Sequence, residues 1–294
     1  MNTTELHISS NRVRDIERYC LTELQKLYPE GEIRMFVRMM FEAWMGWSLT
    51  DFLVHRDETI NQSDLLRFHW AVEDLKRQRP IQQIIGWTEF CGCRIEVDEN
   101  TLIPRPETEE IVRKTIAMHE GRTPKRILDL CTGSGCIAIA LAKEWSNAEV
   151  TAVDISGKAL DKARENAENN NVRVDFIQMD LLQNDVPTPP FPFDLIISNP
   201  PYVMQQERST MQRNVLNWEP AEALFVPNED PLKFYKAIAN IAKRHLAADG
   251  LLVLEINEHL GHETMHLLKE DGFEGTIHDD FRGKARMLSL HRNR

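Results

Sequence analysis

The sequence predicts an α/β protein in two parts: an all-helical N-terminal domain (residues 1–84) joined by a β-hairpin (85–104) to a seven-stranded, Rossmann-like, doubly wound sheet (105–294). Three observations predict it. Apolar residues keep helical spacing up to about residue 80, strand-like runs replace them between Trp87 and Thr101, and after Lys125 strands and helices alternate.

In the first region, Val13, Ile16, Cys20, Leu24 and Leu27 recur at steps of three and four. Ile33, Phe36, Val37, Met40, Phe41 and Trp44 do the same, as do Leu65, Phe68, Val72 and Leu75 behind Ser63 as N-cap. Each pattern puts one apolar stripe on a helix, and such stripes need one another, so a small bundle is expected. The run WTEFCGCRIEVDENT then changes the period, with Cys91 and Gly92 at the turn of a short hairpin. In LIPRPETEEIVRKTI, Pro106 suits a first helical turn, and Glu107, Glu109 and Glu110 suit the positive end of the helix dipole, so a helix starts near Arg105.

Buried strands are expected at 126–130, 149–153, 173–178, 193–198 and 250–256, with helices such as 137–143 and 232–246 between them. Weaker strands at 275–278 and 287–291 lack a helix between them and are expected to pair antiparallel at the sheet edge. An all-parallel dinucleotide fold would not end this way.

Composition narrows the class. The 294 residues can bury more than one core, 42% are apolar and 28% charged, and neither disorder nor a fibrous repeat is indicated. Nothing near the N-terminus resembles a secretory core and no stretch approaches ~18 uninterrupted apolar residues, so a cytoplasmic protein without membrane association is expected. Five cysteines without paired C-x-x-C spacing argue against a disulfide framework or structural zinc. A formal net charge of -11 opposes stable, sequence-independent nucleic-acid binding, which rests on Lys and Arg replacing counterions.

The first strand–helix turn reads Asp129, Leu130, Cys131, Thr132, Gly133, Ser134, Gly135. Gly133 and Gly135 let the backbone turn tightly and approach a ligand, which suits a nucleoside-type cofactor or simply tight packing. Asp154 ends the second strand, where a carboxylate accepts from both hydroxyls of a ribose, a group shared by NAD and S-adenosylmethionine. Asp180 after the third strand suits an adenine amino group, with Leu181 as an apolar surface for the base.

Asn199, Pro200, Pro201 and Tyr202 end the fourth strand, at the edge where open α/β sheets hold their ligands. Proline fixes its own backbone and restricts the residue before it, so the carbonyls here become preset acceptors. A planar amino group held by the Asn199 side-chain oxygen and the Pro200 carbonyl would turn its nitrogen toward a sulfonium methyl, and Tyr202 could stack on its face. An amide nitrogen is a poor nucleophile, and such positioning offsets that. His262, Glu263 and His266 match H-E-x-x-H, but Lys269 stands where the extended zinc-protease motif has Gly, so a solvated helix face is expected and no metal.

With these residues in view, the chain resembles the release factor glutamine methyltransferase family nearly end to end. The resemblance rests on Pro80, Gln83, Ile84 and Gly86, LIPRPETE at 102–109, DLCTGSGCIAIA at 129–140, AVD at 152–154, NPPY at 199–202, EP at 219–220, and Asp280, Gly283 and Arg286. It implies a class I methyltransferase sheet, a helical substrate-docking domain, and S-adenosylmethionine as cofactor, with S-adenosylhomocysteine as product. The implied reaction methylates the glutamine amide of the Gly-Gly-Gln loop in class I peptide-chain release factors, its protein partners. The cofactor would meet Cys131 to Gly135, Asp154, Leu181 and Asn199, and the glutamine Asn199 to Tyr202. Three places depart from the family pattern: Cys131 and Asn257 stand where Gly is usual, and Val226-Pro227 replaces a commoner Gly pair. NPPY is shared with N6-adenine and rRNA amino-methyltransferases, and a non-catalytic nucleoside-binding protein would keep the glycine loop without it.

Overall fold

The computed structural model describes residues 10–183 and 192–293. It divides into two compact units, Met1–Gly86 with Arg213–Trp218, and Trp87–Gln212 with Glu219–Arg294.

The first unit contains α1 (Val13–Leu24), α2 (Glu30–Met45), α3 (Leu49–Val54), α4 (Gln62–Lys76) and α5 (Ile81–Ile85). The expected stripes form its core, with Phe41 at 4.4 Å from Phe68 and 5.4 Å from Trp47 between ring centroids. Two local details differ from expectation. The N-cap of α4 is Asn61, whose side chain accepts from the Asp64 amide at 2.9 Å, and Ser63 lies inside the first turn. Both residue types cap well, and a cap at Asn61 starts the helix two residues earlier, which leaves Ser63 inside it. Leu27 falls in the turn after α1 and is 45% exposed, because the helix stops at Leu24. The sequence reading also missed the helix Arg213–Trp218 as part of this unit. Trp218 donates through Nε1 to the Arg77 carbonyl at 3.2 Å, and its own carbonyl accepts from Gln83 Nε2 at 2.8 Å.

In the second unit the hairpin comes first: β1 (Trp87–Phe90) and β2 (Cys93–Glu96) pair antiparallel through left-handed Cys91 and Gly92. It is more than a linker. Cys93 and Ile95 are fully buried in this unit's core, and the Asn166 side chain both accepts from the Glu96 amide (2.7 Å) and donates to its carbonyl (3.0 Å). The unit boundary therefore falls at Gly86, and the hairpin folds with the sheet-bearing unit.

Then come α6 (Pro106–Met118), β3 (Arg126–Leu130), α7 (Cys136–Glu144), β4 (Glu149–Asp154), α8 (Gly157–Asn169), β5 (Asp175–Gln178) and β6 (Phe193–Ser198). Two-residue strands β7 (Val203–Met204) and β8 (Phe225–Val226) flank α9, which is Arg213–Trp218. After them follow α10 (Lys233–His245), β9 (Leu246–Glu255), α11 (Gly261–Glu270), β10 (Phe273–Asp279) and β11 (Ala285–Arg292). The seven-stranded sheet has the order β10-β11-β9-β6-β3-β4-β5. Strands β9, β6, β3, β4 and β5 are parallel, and the β10–β11 pair is antiparallel at the edge, as the tail predicted. Successive side chains alternate faces: Ile127, Leu195 and Val253 join one core, Leu128, Ile196 and Leu252 the other. With its faces covered by helices, the sheet presents ligands with one open edge. The turns after β3, β4, β5, β6 and β9 all lie there.

Candidate active site

The turn after β3 is made of backbone. Cys131, Gly133 and Gly135 have φ of +61°, +55° and +80°, a left-handed sequence in which only Cys131 carries a side chain against the usual preference. Asp129 is fully buried behind this turn and accepts from the Thr132 hydroxyl at 2.6 Å. Burial pushes its carboxyl up to about 7 against the opposing pull of that hydroxyl. A Cβ on Gly135 would lie 3.0 Å from that of Ala163 and 3.2 Å from Ile139 Cδ1, so this glycine serves the packing of α7 on α8. Gly133 is different. A Cβ there meets no protein atom within 4 Å, and the residue lines an open cavity.

That cavity, about 290 Å³, collects residues from four strand ends. Of the residues predicted to meet a cofactor, Cys131, Gly133, Asp154, Asp180, Leu181 and Asn199 line it. Asp129, Thr132, Ser134 and Gly135 are not in its wall; all four are buried and shape the turn from behind. Asp154 accepts from the Gly133 amide at 2.8 Å on one oxygen and from the Ser156 amide at 2.9 Å on the other. Each oxygen has a second lone pair, so the carboxylate can still take two donors. Burial raises its pKa, and the backbone amides of Ser156, Gly133 and Ile155 oppose the rise. One Asp180 oxygen accepts from the Leu182 amide at 2.9 Å. A larger depression, about 590 Å³, lies at the opposite sheet edge and contains none of the predicted residues.

Sequence reasoning missed part of the wall: Thr101 and Leu102 on one side, Pro220, Glu222 and Phe225 on the other. The stretches LIPRPETE and EP carried the signal, and Glu219 explains their pairing. Its buried carboxylate accepts from the Ile103 amide at 3.1 Å and from Arg105 at 2.5 Å.

The Asn199–Tyr202 side is made of side chains. Asn199 donates through Nδ2 to Thr108 Oγ1 at 3.2 Å, and that hydroxyl donates to Glu255 Oε2 at 2.6 Å. The Tyr202 hydroxyl donates to the other oxygen, Oε1, at 2.8 Å. Glu255 is only 3% exposed; burial raises its pKa, and the two hydroxyls and Arg286 oppose the rise. The Tyr202 hydroxyl is itself raised by burial and by the neighbouring negative charge. Asn257 fastens the same loop, donating to the Tyr202 carbonyl at 3.1 Å. Its side chain thus has a use that Gly could not supply. Val226 is fully buried and pairs with Met204 in the β7–β8 ladder.

Beside these residues lies a narrow cleft of about 50 Å³, lined by Arg105, Asn199, Pro200, Tyr202 and Glu255 among others. Asn199, with Leu102 and Ala223, belongs to the walls of both cavities. Elsewhere, His262, Glu263 and His266 sit on the exposed face of α11, and among the described residues no cluster of three or more His, Cys, Asp or Glu could hold a metal. No helix of the described residues is long and apolar enough to cross a membrane.

Residues 110–224 match the family model "Methyltransferase small domain", and residues 18–86 match "PrmC N-terminal domain". A release factor glutamine methyltransferase of Flavobacterium psychrophilum is 42% identical over 91% of this chain and 95% of its own. One from Bacteroides thetaiotaomicron is 37% identical over 94% and 99%. Among solved structures, a methyltransferase from Pyrococcus furiosus superposes with a TM-score of 0.51 at 19% identity, over 78% of this chain and 98% of that one, a likeness of fold.

Proposed function

We propose that this chain, which belongs to the release factor glutamine methyltransferase family and is an S-adenosylmethionine-dependent methyltransferase, acts on the glutamine amide of the Gly-Gly-Gln loop in class I peptide-chain release factors. The observation that carries this reading is Asn199, common to the wall of the larger cavity and to that of the narrow cleft.

The larger cavity fits the cofactor. Gly133 leaves the room a Cβ would fill, Asp154 retains two acceptor sites for ribose hydroxyls, Asp180 offers a carboxylate for the adenine amino group, and Leu181 gives the base an apolar wall. When bound, S-adenosylmethionine supplies an electrophilic methyl group on a sulfonium. The narrow cleft admits a side chain of modest width. Asn199 Nδ2 is committed to Thr108, so its Oδ1 is left to accept from a substrate –NH2, and the Pro200 carbonyl is the second acceptor. As the amide nitrogen gains positive charge, both acceptors bind it more strongly than in the ground state. Tyr202, its hydroxyl tied to Glu255, keeps its ring at one angle for the planar amide to rest on.

Residues 1–84 serve in this reading as the docking surface for the release factor, in a cytoplasmic enzyme. The test is methyl transfer from tritiated cofactor, with release factor and nucleic acid offered separately. Label on the release factor, lost when its loop glutamine is replaced, is expected. Label on nucleic acid alone would replace this reading with that of an amino-methyltransferase of bases.

A further inference from the structure

We propose that Thr108 and Glu255 are positioning residues that fix which way the Asn199 amide faces, and thereby make the site select glutamine over glutamate. The inference rests on the proposed role of Asn199 as acceptor for the substrate amide.

An asparagine amide has two nearly isosteric ends with opposite hydrogen-bonding character, one oxygen that accepts and one nitrogen that donates. Flipping it by 180° costs little unless its neighbours discriminate, and here they do. An ionised carboxylate only accepts, so Glu255 requires donors on both oxygens and receives them from Thr108 at 2.6 Å and Tyr202 at 2.8 Å. Thr108 has one hydroxyl proton, and Glu255 takes it. The Thr108 oxygen can then only accept from Asn199, and it is the Nδ2 end that meets it at 3.2 Å. Oδ1 accepts nothing from the described residues. The direction of the chain is therefore set at Glu255 and delivered at Asn199.

Both positioning residues are built for rigidity. Thr108 is 2% and Glu255 3% exposed, so water does not compete for their hydrogen bonds. Thr108 lies in the first turn of α6 and Glu255 at the end of β9, and β9 pairs with β6 up to Ser198↔Leu254, one residue before Asn199. The site accordingly presents an acceptor to the substrate. A glutamine amide satisfies it, whereas a glutamate carboxylate would set oxygen against oxygen.

The experiment compares wild type, Thr108→Val and Thr108→Ser, using a full-length release factor carrying either its loop glutamine or glutamate there. Calorimetry in the presence of S-adenosylhomocysteine gives the Kd ratio for the two factors, and turnover at saturating cofactor gives kcat. Valine keeps the shape and removes the hydroxyl, so the Asn199 amide is free to flip. The preference for glutamine should fall from roughly tenfold toward parity, and kcat should drop about tenfold or more, with cofactor Kd unchanged within about twofold. Serine, which keeps the hydroxyl, should restore both. Glu255→Gln supplies a second probe: wherever its amide nitrogen faces Thr108, the Thr108 proton is released toward Asn199, so the preference should fall, though by less than with valine. If Thr108→Val and Glu255→Gln keep the wild-type preference, or if serine loses as much as valine, the positioning role is overturned. A wild-type enzyme that methylates the release factor but binds the glutamate factor equally well also overturns it. One that methylates no release factor overturns the proposed function instead.

Discussion

The two halves of the site achieve precision by opposite means. On the proposed cofactor side, the turn at Cys131–Gly135 is shaped by backbone: left-handed residues set its course, and the buried side chains of Asp129 and Thr132 brace it from behind. On the proposed acceptor side, the backbone of Asn199–Tyr202 is stiffened by two prolines and supplies the Pro200 carbonyl, while the Asn199 and Tyr202 side chains are held by partners far away in sequence. The first half should therefore be sensitive to any added Cβ, whereas the second should be sensitive to the loss of a single polar atom.

The largest effect is expected at Asn199→Ala. Removing one preorganised acceptor typically costs on the order of 10²–10³ in rate, and cofactor affinity should change far less. Asn199→Asp keeps an acceptor and should retain more activity than alanine at saturating cofactor. Wild-type turnover by folded Asn199→Ala would refute the acceptor mechanism while leaving the family assignment intact.

The two glycines of the turn separate binding from stability. Gly135→Ala drives a Cβ to 3.0 Å from Ala163 at a left-handed φ and should cost about 1–3 kcal/mol, read as a lowered melting temperature. Gly133→Ala meets no protein atom, so its stability loss should be the smaller, and it should weaken binding of S-adenosylhomocysteine at least about tenfold through the space it fills. A reversed pattern, with Gly133→Ala binding normally, would place the cofactor away from this turn.

Asp129 gives a pH signature. Its folded pKa, about 7, stands above the ordinary value of 3.8, so between the two the folded state holds a proton that the unfolded chain has released. Stability therefore falls as pH rises from about 4 to about 7, by at most about 1.4 kcal/mol per pH unit, and levels off above. Asp129→Asn should remove this slope. Asp154 and Glu255 are raised in the same direction but are present in both proteins, so the difference between urea-denaturation midpoints of the two reports the loss of the Asp129 carboxyl together with its repulsion of Asp154. Parallel curves would show that Asp129 does not titrate in that window.

Cys131→Gly should produce the smallest change. Glycine relieves the left-handed strain, of about 1 kcal/mol, but enlarges the unfolded ensemble and gives up the packing of Cys131 against the core. The melting temperature should stay within roughly 4 °C of wild type. A large drop would mean that the thiol, and not the turn, holds this corner.

Much of this was legible in the sequence because it is local. Helical and strand periods report which side of an element faces water, and they located the stripes of α1, α2 and α4 and the strands of the sheet. A glycine pair after a strand, and prolines after another, declare backbone conformations that only those residues adopt readily. The errors were local as well: Asn61 and Ser63 both lie where a cap can form, and only the course of the chain selects one. The hairpin read as a linker because its sequence states its shape and not the core that Cys93 and Ile95 enter.

Tertiary structure alone decided how the polar residues of the site meet. Asn199 is separated from Thr108 by 91 residues, Thr108 from Glu255 by 147 and Tyr202 from Glu255 by 53, and no periodicity spans such distances. They meet because β6 lies between β3 and β9 in the sheet, which brings the end of β9 beside the end of β6. Strand order is set by which faces bury the most apolar surface together, a property of the whole chain. The sequence could thus supply the proposed acceptor, Asn199, but the hydrogen bonds that reach it through Thr108 start from a carboxylate that only the folded sheet brings within reach.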